Sequence, residues 1–148
     1  MNLTQHFTLE EFCRSDTALR LHINNDLPGD LIHNAHDTLY MAELVRAFLG
    51  DVPIHITSGY RCLPLNRAIG SKDTSDHVQA WAIDFVAPAF GTPLQIARKL
   101  APEIDQLRIG ALIYEHEWCH IAWPQPQKHL NRVLTVQAGG YTVGIIGD

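Results

Sequence analysis

One long amphipathic pattern limits what the first third of the chain can form. Between Asp30 and Leu49, apolar side chains recur at three- and four-residue steps, the spacing of one helix face: Leu31, Ala35, Leu39, Ala42, Val45 and Leu49. A Pro-Gly pair precedes the pattern and Gly50 follows it, as is typical of helix boundaries. The pattern predicts one long helix whose apolar face packs against other elements.

The remainder of the chain predicts short strands mixed with short helices. Alternating apolar residues predict strands at Pro53 to Thr57, Ala82 to Val86, Ala111 to Tyr114 and Trp118 to Trp123, with an edge strand at Val133 to Gln137. Helices are predicted from Pro64 to Ile69 and from Thr92-Pro93 to Leu100. Because strands and helices do not alternate regularly, we expect an α+β fold in which helices pack on a mainly antiparallel central sheet. Residues 1–148 are expected to form a single domain with a loose tail at 138–148.

Composition excludes several classes of protein. The formal net charge is −5 and no basic run occurs, which argues against nucleic-acid binding. No apolar stretch approaches the ~20 residues of a membrane span, and the N-terminus does not resemble a signal peptide. The three cysteines form no Cys-x-x-Cys pair, which argues against a disulfide framework and a thiolate zinc finger. We therefore expect a monomer that is synthesised in the cytoplasm.

Three residues have the chemistry of a catalytic metal site. His77 lies in a polar segment, Asp84 follows seven residues later on a predicted strand, and His120 lies on another strand. Asp84 stands between Ile83 and Phe85, and a carboxylate buried there needs a metal ion or strong hydrogen bonds. Three nitrogen and oxygen donors that leave a fourth position open to water are typical of catalytic zinc. Such an ion acidifies bound water and polarises a carbonyl.

Two further residue types complete the chemistry of hydrolysis. Glu117 lies three residues before His120, and it reaches the metal only if the chain turns at 115–117 and the strand begins near Trp118. Arg61 follows Ser58-Gly59 at a predicted strand-to-loop turn, where its guanidinium is suited to donate to a substrate carbonyl or carboxylate.

An ordered set of short motifs resembles a known family. The motifs are Ser58-Gly59-Tyr60-Arg61, Leu65-Asn66, Gly70-Ser71, Ser75-x-His77, Ala82-x-Asp84 and Trp118-x-His120, together with the opening segment from His6 to Phe12, Ser15, Thr17-Ala18 and Asn24-Asn25. From about Gln5 to Thr135 the chain is similar to the small single-domain group of zinc D-Ala-D-Ala carboxypeptidases and peptidoglycan endopeptidases.

The resemblance implies a role for each matching position. His77, Asp84 and His120 are expected to bind one zinc ion, Arg61 to bind substrate, and Glu117 to act as the general base, with Glu115 and His116 as alternatives for the base. Ser75, Tyr60 and His116 are expected to contact substrate or to orient the ligands. The chain departs from the family at Ala80, where glycine is usual; this puts the local geometry in question more than the identity of the ligands.

The function implied is a zinc metallopeptidase that cleaves an amide bond in peptidoglycan stem peptides. Both D-Ala-D-Ala carboxypeptidase and L-Ala-D-Glu endopeptidase activity remain open. A chain without a signal peptide or a separate wall-binding module resembles a phage or prophage endolysin, which acts on the cell wall. The alternatives are a cytoplasmic D,D-dipeptidase and a non-catalytic zinc-containing module that binds the cell wall.

Overall fold

A computed structural model describes residues 1–125 and 132–147 of the chain. In these ranges the helices are α1 (Leu9–Cys13), α2 (Asp16–Arg20), α3 (Ile32–Phe48), α4 (Leu63–Ala68) and α5 (Pro93–Leu100). The strands are β1 (His55–Ser58), β2 (Ala82–Val86), β3 (Ala111–Tyr114), β4 (Cys119–Ala122), β5 (Val133–Gln137) and β6 (Gly140–Val143). Short 3₁₀ turns occupy Gly29–Leu31, Asp76–Gln79 and Ala101–Glu103. In the part described, none of the helices has the length and apolar character needed to cross a membrane.

Side-chain caps define where three of the helices begin. Thr8 and Glu11 form a capping box at α1, and Thr92 and Gln95 form one at α5, so that each pair satisfies two backbone N–H groups. The Ser15 hydroxyl accepts from a backbone N–H at the start of α2. Helices α1 and α2 were not predicted, since five residues are too few to show a helical period.

The strands form one six-stranded sheet in the order β1-β2-β4-β3-β5-β6. All neighbours are antiparallel except β3 and β5, which are parallel. The predicted α+β fold with a mainly antiparallel sheet is therefore confirmed.

The end of the chain differs from the prediction. β5 was predicted as an edge strand, but β6 pairs with it and forms the edge. β6 lies inside the segment that was expected to be a loose tail; Asp148, the last residue of that tail, lies outside the described residues. The Thr135 hydroxyl holds the segment after β6 against β5. It donates to the Gly144 carbonyl and accepts from the Ile146 N–H.

The two faces of the central strands have different roles. Ile83 and Phe85 of β2 and Ile121 of β4 belong to the hydrophobic core, together with the buried stripe of α3 and the inner side of α5. α5 packs on β3 and β4, and the thiol of Cys119 donates to its Pro93 carbonyl. Side chains at the alternate positions of β2 and β4 therefore point to the other face of the sheet, where polar groups are found.

Candidate metal centre and its cleft

Strand pairing places two of the three predicted metal ligands side by side. Asp84 of β2 lies directly opposite His120 of β4, so both side chains project from the same face of the sheet. Both residues are buried. Asp84 Oδ1 lies 3.0 Å from Nδ1 of His120.

The third ligand is presented by a short 3₁₀ turn. Ser75 caps this turn, Asp76–Gln79, and Ala80 ends it in the left-handed region at φ 61°. Nδ1 of His77 donates to the Gly59 carbonyl at 2.7 Å, which orients the ring and leaves Nε2 with a free lone pair. The left-handed conformation at Ala80 explains why glycine is usual there, and the chain still presents His77 to the site.

The donor set fits a zinc ion. Nε2 of His77 is buried without a hydrogen-bond partner, and it lies 3.3 Å from Asp84 Oδ1 without hydrogen-bond geometry. The ligand atoms of His77, Asp84 and His120 all lie within 4.8 Å of one another. Ligands at about 2.1 Å from a tetrahedral zinc are roughly 3.4 Å apart, close to the two separations from Asp84 Oδ1. An ion at this position would use the lone pair of His77 that the protein leaves unpaired.

The electrostatics of the triad agree with metal binding. Burial lowers the pKa of His77 despite the nearby Asp84 carboxylate, so this imidazole stays neutral as a ligand must. Burial alone would raise the pKa of Asp84, but the two histidines outweigh it and hold the carboxyl pKa well below its usual range. Burial opposes protonation of His120 as well, but Asp84 raises the pKa of this imidazole overall. A metal ion that binds Nδ1 of His120 would therefore compete with a proton at this atom, because a ligating imidazole is neutral.

A cleft of about 570 Å³ opens beside the triad, and a cationic side chain lies in its wall. Arg61 reaches this wall from the segment after β1, where its backbone N–H donates to the His77 carbonyl at 3.1 Å. Its Nε is buried without a hydrogen-bond partner. Burial lowers the pKa of Arg61, while the negative charges of Asp84 and Glu115 oppose that shift. Arg61 thus lines the cleft with a cationic side chain, one N–H of which has no acceptor in the described residues.

The turn between β3 and β4 brings Glu115, and not Glu117, to the cleft. The chain does turn at this point, with His116 at φ 66° and the Glu117 N–H donating to the Glu115 carbonyl at 2.7 Å. Glu115 Oε2 lies 3.9 Å from Nδ1 of His120, and burial together with the charge of Asp84 raises the pKa of the Glu115 carboxyl. Glu117 is exposed and is not part of the cleft wall. The chain thus makes the turn that Glu117 would need to reach the metal, but in this turn the side chain of Glu117 points to solvent.

The other predicted site residues lie in three different settings. Ser75 lines the cleft and its hydroxyl accepts from the backbone N–H of His77, which suits the predicted orienting role. His116 does not line the cleft and is not part of the triad. Its Nε2 donates to the Val136 carbonyl of β5 at 2.7 Å. Tyr60 belongs to the hydrophobic core and does not line the cleft. Tyr60 and Arg61 are consecutive residues after β1, and the side chain of Tyr60 packs in the core while that of Arg61 lines the cleft.

Two residues with a part in the site were not predicted. The Gly59 carbonyl orients His77, and only the position of Gly59 in the Ser58-Gly59-Tyr60-Arg61 motif drew attention to it. Tyr141 of β6 lines the cleft although its segment was expected to be loose. The sequence signal for Tyr141 was the Gly139-Gly140 pair before it, which is typical of a turn that returns a strand.

Comparison with known proteins agrees with this geometry. A family model described as Peptidase M15 matches residues 5–122, the region that contains the three candidate ligands, Arg61 and Glu115. No curated protein matches the chain. The match covers more than half of the chain and confirms the resemblance drawn from the motifs. The chain therefore belongs to the peptidase M15 family of zinc metallopeptidases.

Proposed function

We propose that the enzyme hydrolyses an amide bond in the stem peptides of peptidoglycan, with Glu115 as the general base and Arg61 as a substrate-binding residue. The observation that carries the proposal is the meeting of three groups in one cleft: the triad, a carboxylate 3.9 Å from His120, and a guanidinium whose buried Nε has no partner. The peptidoglycan substrate is supported by the motifs shared with wall peptidases. The role of a phage or prophage endolysin belongs to the same proposal.

The protein groups divide the work of hydrolysis. His77, Asp84 and His120 would hold a zinc ion, which would act as a Lewis acid and lower the pKa of a water molecule. Glu115 accepts the proton of the attacking water and later delivers it to the leaving amine. Arg61 donates to the carbonyl or to a carboxylate of the substrate and so fixes its position. The Gly59 carbonyl holds the ring of His77 in place throughout.

Digestion of purified peptidoglycan tests the proposal. Zinc-loaded wild type, Glu115→Gln and Glu117→Gln are incubated with cell-wall sacculi, with and without a chelator, and the released fragments are identified by mass. We expect soluble fragments from the wild type and none with chelator, a 10²- to 10⁴-fold lower rate for Glu115→Gln, and a rate within about twofold of wild type for Glu117→Gln. The masses identify the bond, and thereby a carboxypeptidase or an endopeptidase.

Other outcomes would change the assignment. A large loss in Glu117→Gln with normal activity in Glu115→Gln would return the base to Glu117, as the sequence predicted. Hydrolysis of free D-Ala-D-Ala without attack on sacculi would favour the cytoplasmic dipeptidase. Sedimentation of the zinc-loaded wild type with sacculi, without release of any fragment, would favour the wall-binding module.

A further inference from the structure

The β5–β6 hairpin adds a wall to the cleft from outside the family match. The match ends at residue 122, and the hairpin spans Val133–Gln137 and Gly140–Val143. β5 joins the sheet beside β3, the strand that leads into Glu115. The hairpin therefore lies where it can affect substrate binding without supplying a metal ligand.

Tyr141 is the side chain that the hairpin contributes to the cleft. It lines the cavity that contains the triad and also a second cavity of about 430 Å³. Tyr141 is 64% exposed, a large fraction for an aromatic residue beside a candidate metal centre. A flat aromatic face at the rim of a peptidase cleft is suited to pack against a substrate chain.

The backbone below Tyr141 is fixed by specific contacts. Tyr141 pairs with Val136 across the hairpin, and the Val136 carbonyl accepts from Nε2 of His116 at 2.7 Å. Thr135, which is fully buried, ties β5 to the chain that follows β6. His116 thus joins the turn that carries Glu115 to the hairpin that carries Tyr141. The ring is exposed, but its backbone is held in place relative to the proposed base.

Further cavities adjoin the cleft toward both edges of the sheet, since Tyr141 lies on β6 at one edge and Thr57 on β1 at the other, with β2 and β4 of the triad between them. On one side, the second cavity shares His120, Ser75 and Tyr141 with the first and extends past Lys72 and Thr74. On the other side, a smaller cavity of about 230 Å³ adjoins the first at Thr57 and extends along Arg14, Ser15 and Asp16. A substrate that follows this path has residues on both sides of the scissile amide.

We propose that Tyr141 is a substrate-binding residue whose ring packs against the peptide as it leaves the metal centre through the arm at Lys72. The enzyme accordingly takes a peptide that continues on both sides of the scissile bond, and cleaves an internal amide. This inference rests on the proposed peptidase function. It adds the class of substrate and one residue that contacts the substrate.

Steady-state kinetics on peptides that differ only in length test the inference. Once the masses have identified the scissile bond, one synthetic peptide is made with three residues on each side of it. A second peptide keeps only one residue on the first side, and a third keeps only one residue on the second side. We expect Tyr141→Ala to raise KM for the long peptide about tenfold while kcat stays within twofold. Shortening the peptide on the side bound by Tyr141 should raise the wild-type KM similarly and remove the difference between wild type and variant.

Control variants separate contact with substrate from damage to the hairpin. Tyr141→Phe keeps the ring and should behave as wild type. Val143→Ala shortens another exposed side chain on the same strand that lies outside the cleft wall, and should also leave KM unchanged. If Tyr141→Ala melts at a lower temperature than Val143→Ala, Tyr141→Thr replaces it, since threonine favours strands.

Each result supports or overturns the inference. A KM for Tyr141→Ala within twofold of wild type, or an equal rise in KM with all three peptides, would overturn it while the peptidase function stands. The inference would also be overturned if the wild type cleaved one of the two shortened peptides faster than the long peptide. Failure of the zinc-loaded wild type to cleave any peptide or sacculus would overturn the proposed function and this inference together.

Discussion

Replacement of Gly59 by alanine should damage the fold and the metal centre together. A Cβ at this position would lie 2.2 Å from the Phe12 carbonyl oxygen and 2.8 Å from Cδ1 of its ring. Ordinary contacts begin at 3.4 Å, so the backbone of α1 and the segment after β1 would have to separate by about 1 Å. The Phe12 carbonyl accepts from the Tyr60 N–H at 2.9 Å, and the Gly59 carbonyl accepts from His77. A shift of that size breaks the first hydrogen bond and tilts the second.

The cost follows from those two contacts. An unpaired backbone group in a buried position costs about 1–3 kcal/mol, and overpacking adds about 1–3 kcal/mol, so we expect a loss of about 2–6 kcal/mol in the free energy of unfolding. For a chain of this size the melting temperature should fall by about 4–24 °C. Zinc affinity should fall about tenfold or more, because the hydrogen bond that orients His77 is disturbed.

Urea unfolding and zinc titration of Gly59→Ala measure both effects, with Gly29→Ala as the matched control. A Cβ at Gly29 would meet no atom within 4 Å, so this variant should lie within about 1 kcal/mol of wild type and bind zinc normally. If Gly59→Ala lost less than about 1 kcal/mol and kept wild-type zinc affinity, the close approach to Phe12 would not control the site.

Two further predictions concern metal removal and pH. Zinc at 100 times its Kd should stabilise the wild type by about 2.7 kcal/mol and raise its melting temperature by about 5–10 °C. The rise in melting temperature should be absent after chelation and in His120→Ala. An equal rise in His120→Ala would contradict the assignment of His120 as a ligand. Burial tends to raise the pKa of Glu43, but hydrogen bonds from His6 at 2.7 Å outweigh it and lower the carboxyl pKa below 4.5. This pair therefore stabilises the fold above pH 4.5 and the contribution is lost as the pH falls through the folded pKa, so Glu43→Gln should cost about 1–2 kcal/mol at pH 7 and progressively less in acid unfolding curves. A difference that stays constant from pH 7 to pH 3 would contradict this interpretation.

Elements with a strong local pattern could be predicted from the sequence, and those that depend on distant pairing could not. β2, β3 and β5 have the predicted bounds, since each is a short run of mostly apolar residues that can be recognised without its partner strand. β6 was missed because Gly140–Val143 is short and partly polar, and only its pairing with β5 stabilises it. The parallel pairing of β5 with β3 was likewise not predicted, because no local period specifies which neighbour a strand takes.

The same distinction applies to the site. Alternation assigned Asp84 and His120 to defined strand faces, but their direct opposition depends on a register that the sequence alone does not specify. Glu117 was favoured for its spacing to His120, and that reasoning could not foresee how four residues of a turn direct their side chains. With His116 in the left-handed region, Glu115 faces the cleft and Glu117 faces solvent.

The candidate metal ligands are easier to predict from the sequence than the proposed base. Asp84 and His120 lie on paired central strands, so their positions follow from the sheet. Glu115 lies on a turn between two strands, where one residue more or less would present another side chain at the same place. The tie from His116 to β5 makes this turn depend on a hairpin outside the family match. We therefore expect changes in the turn or in the hairpin to affect the proposed base and the proposed substrate contact and to leave the candidate metal centre in place, since none of its three residues comes from either segment.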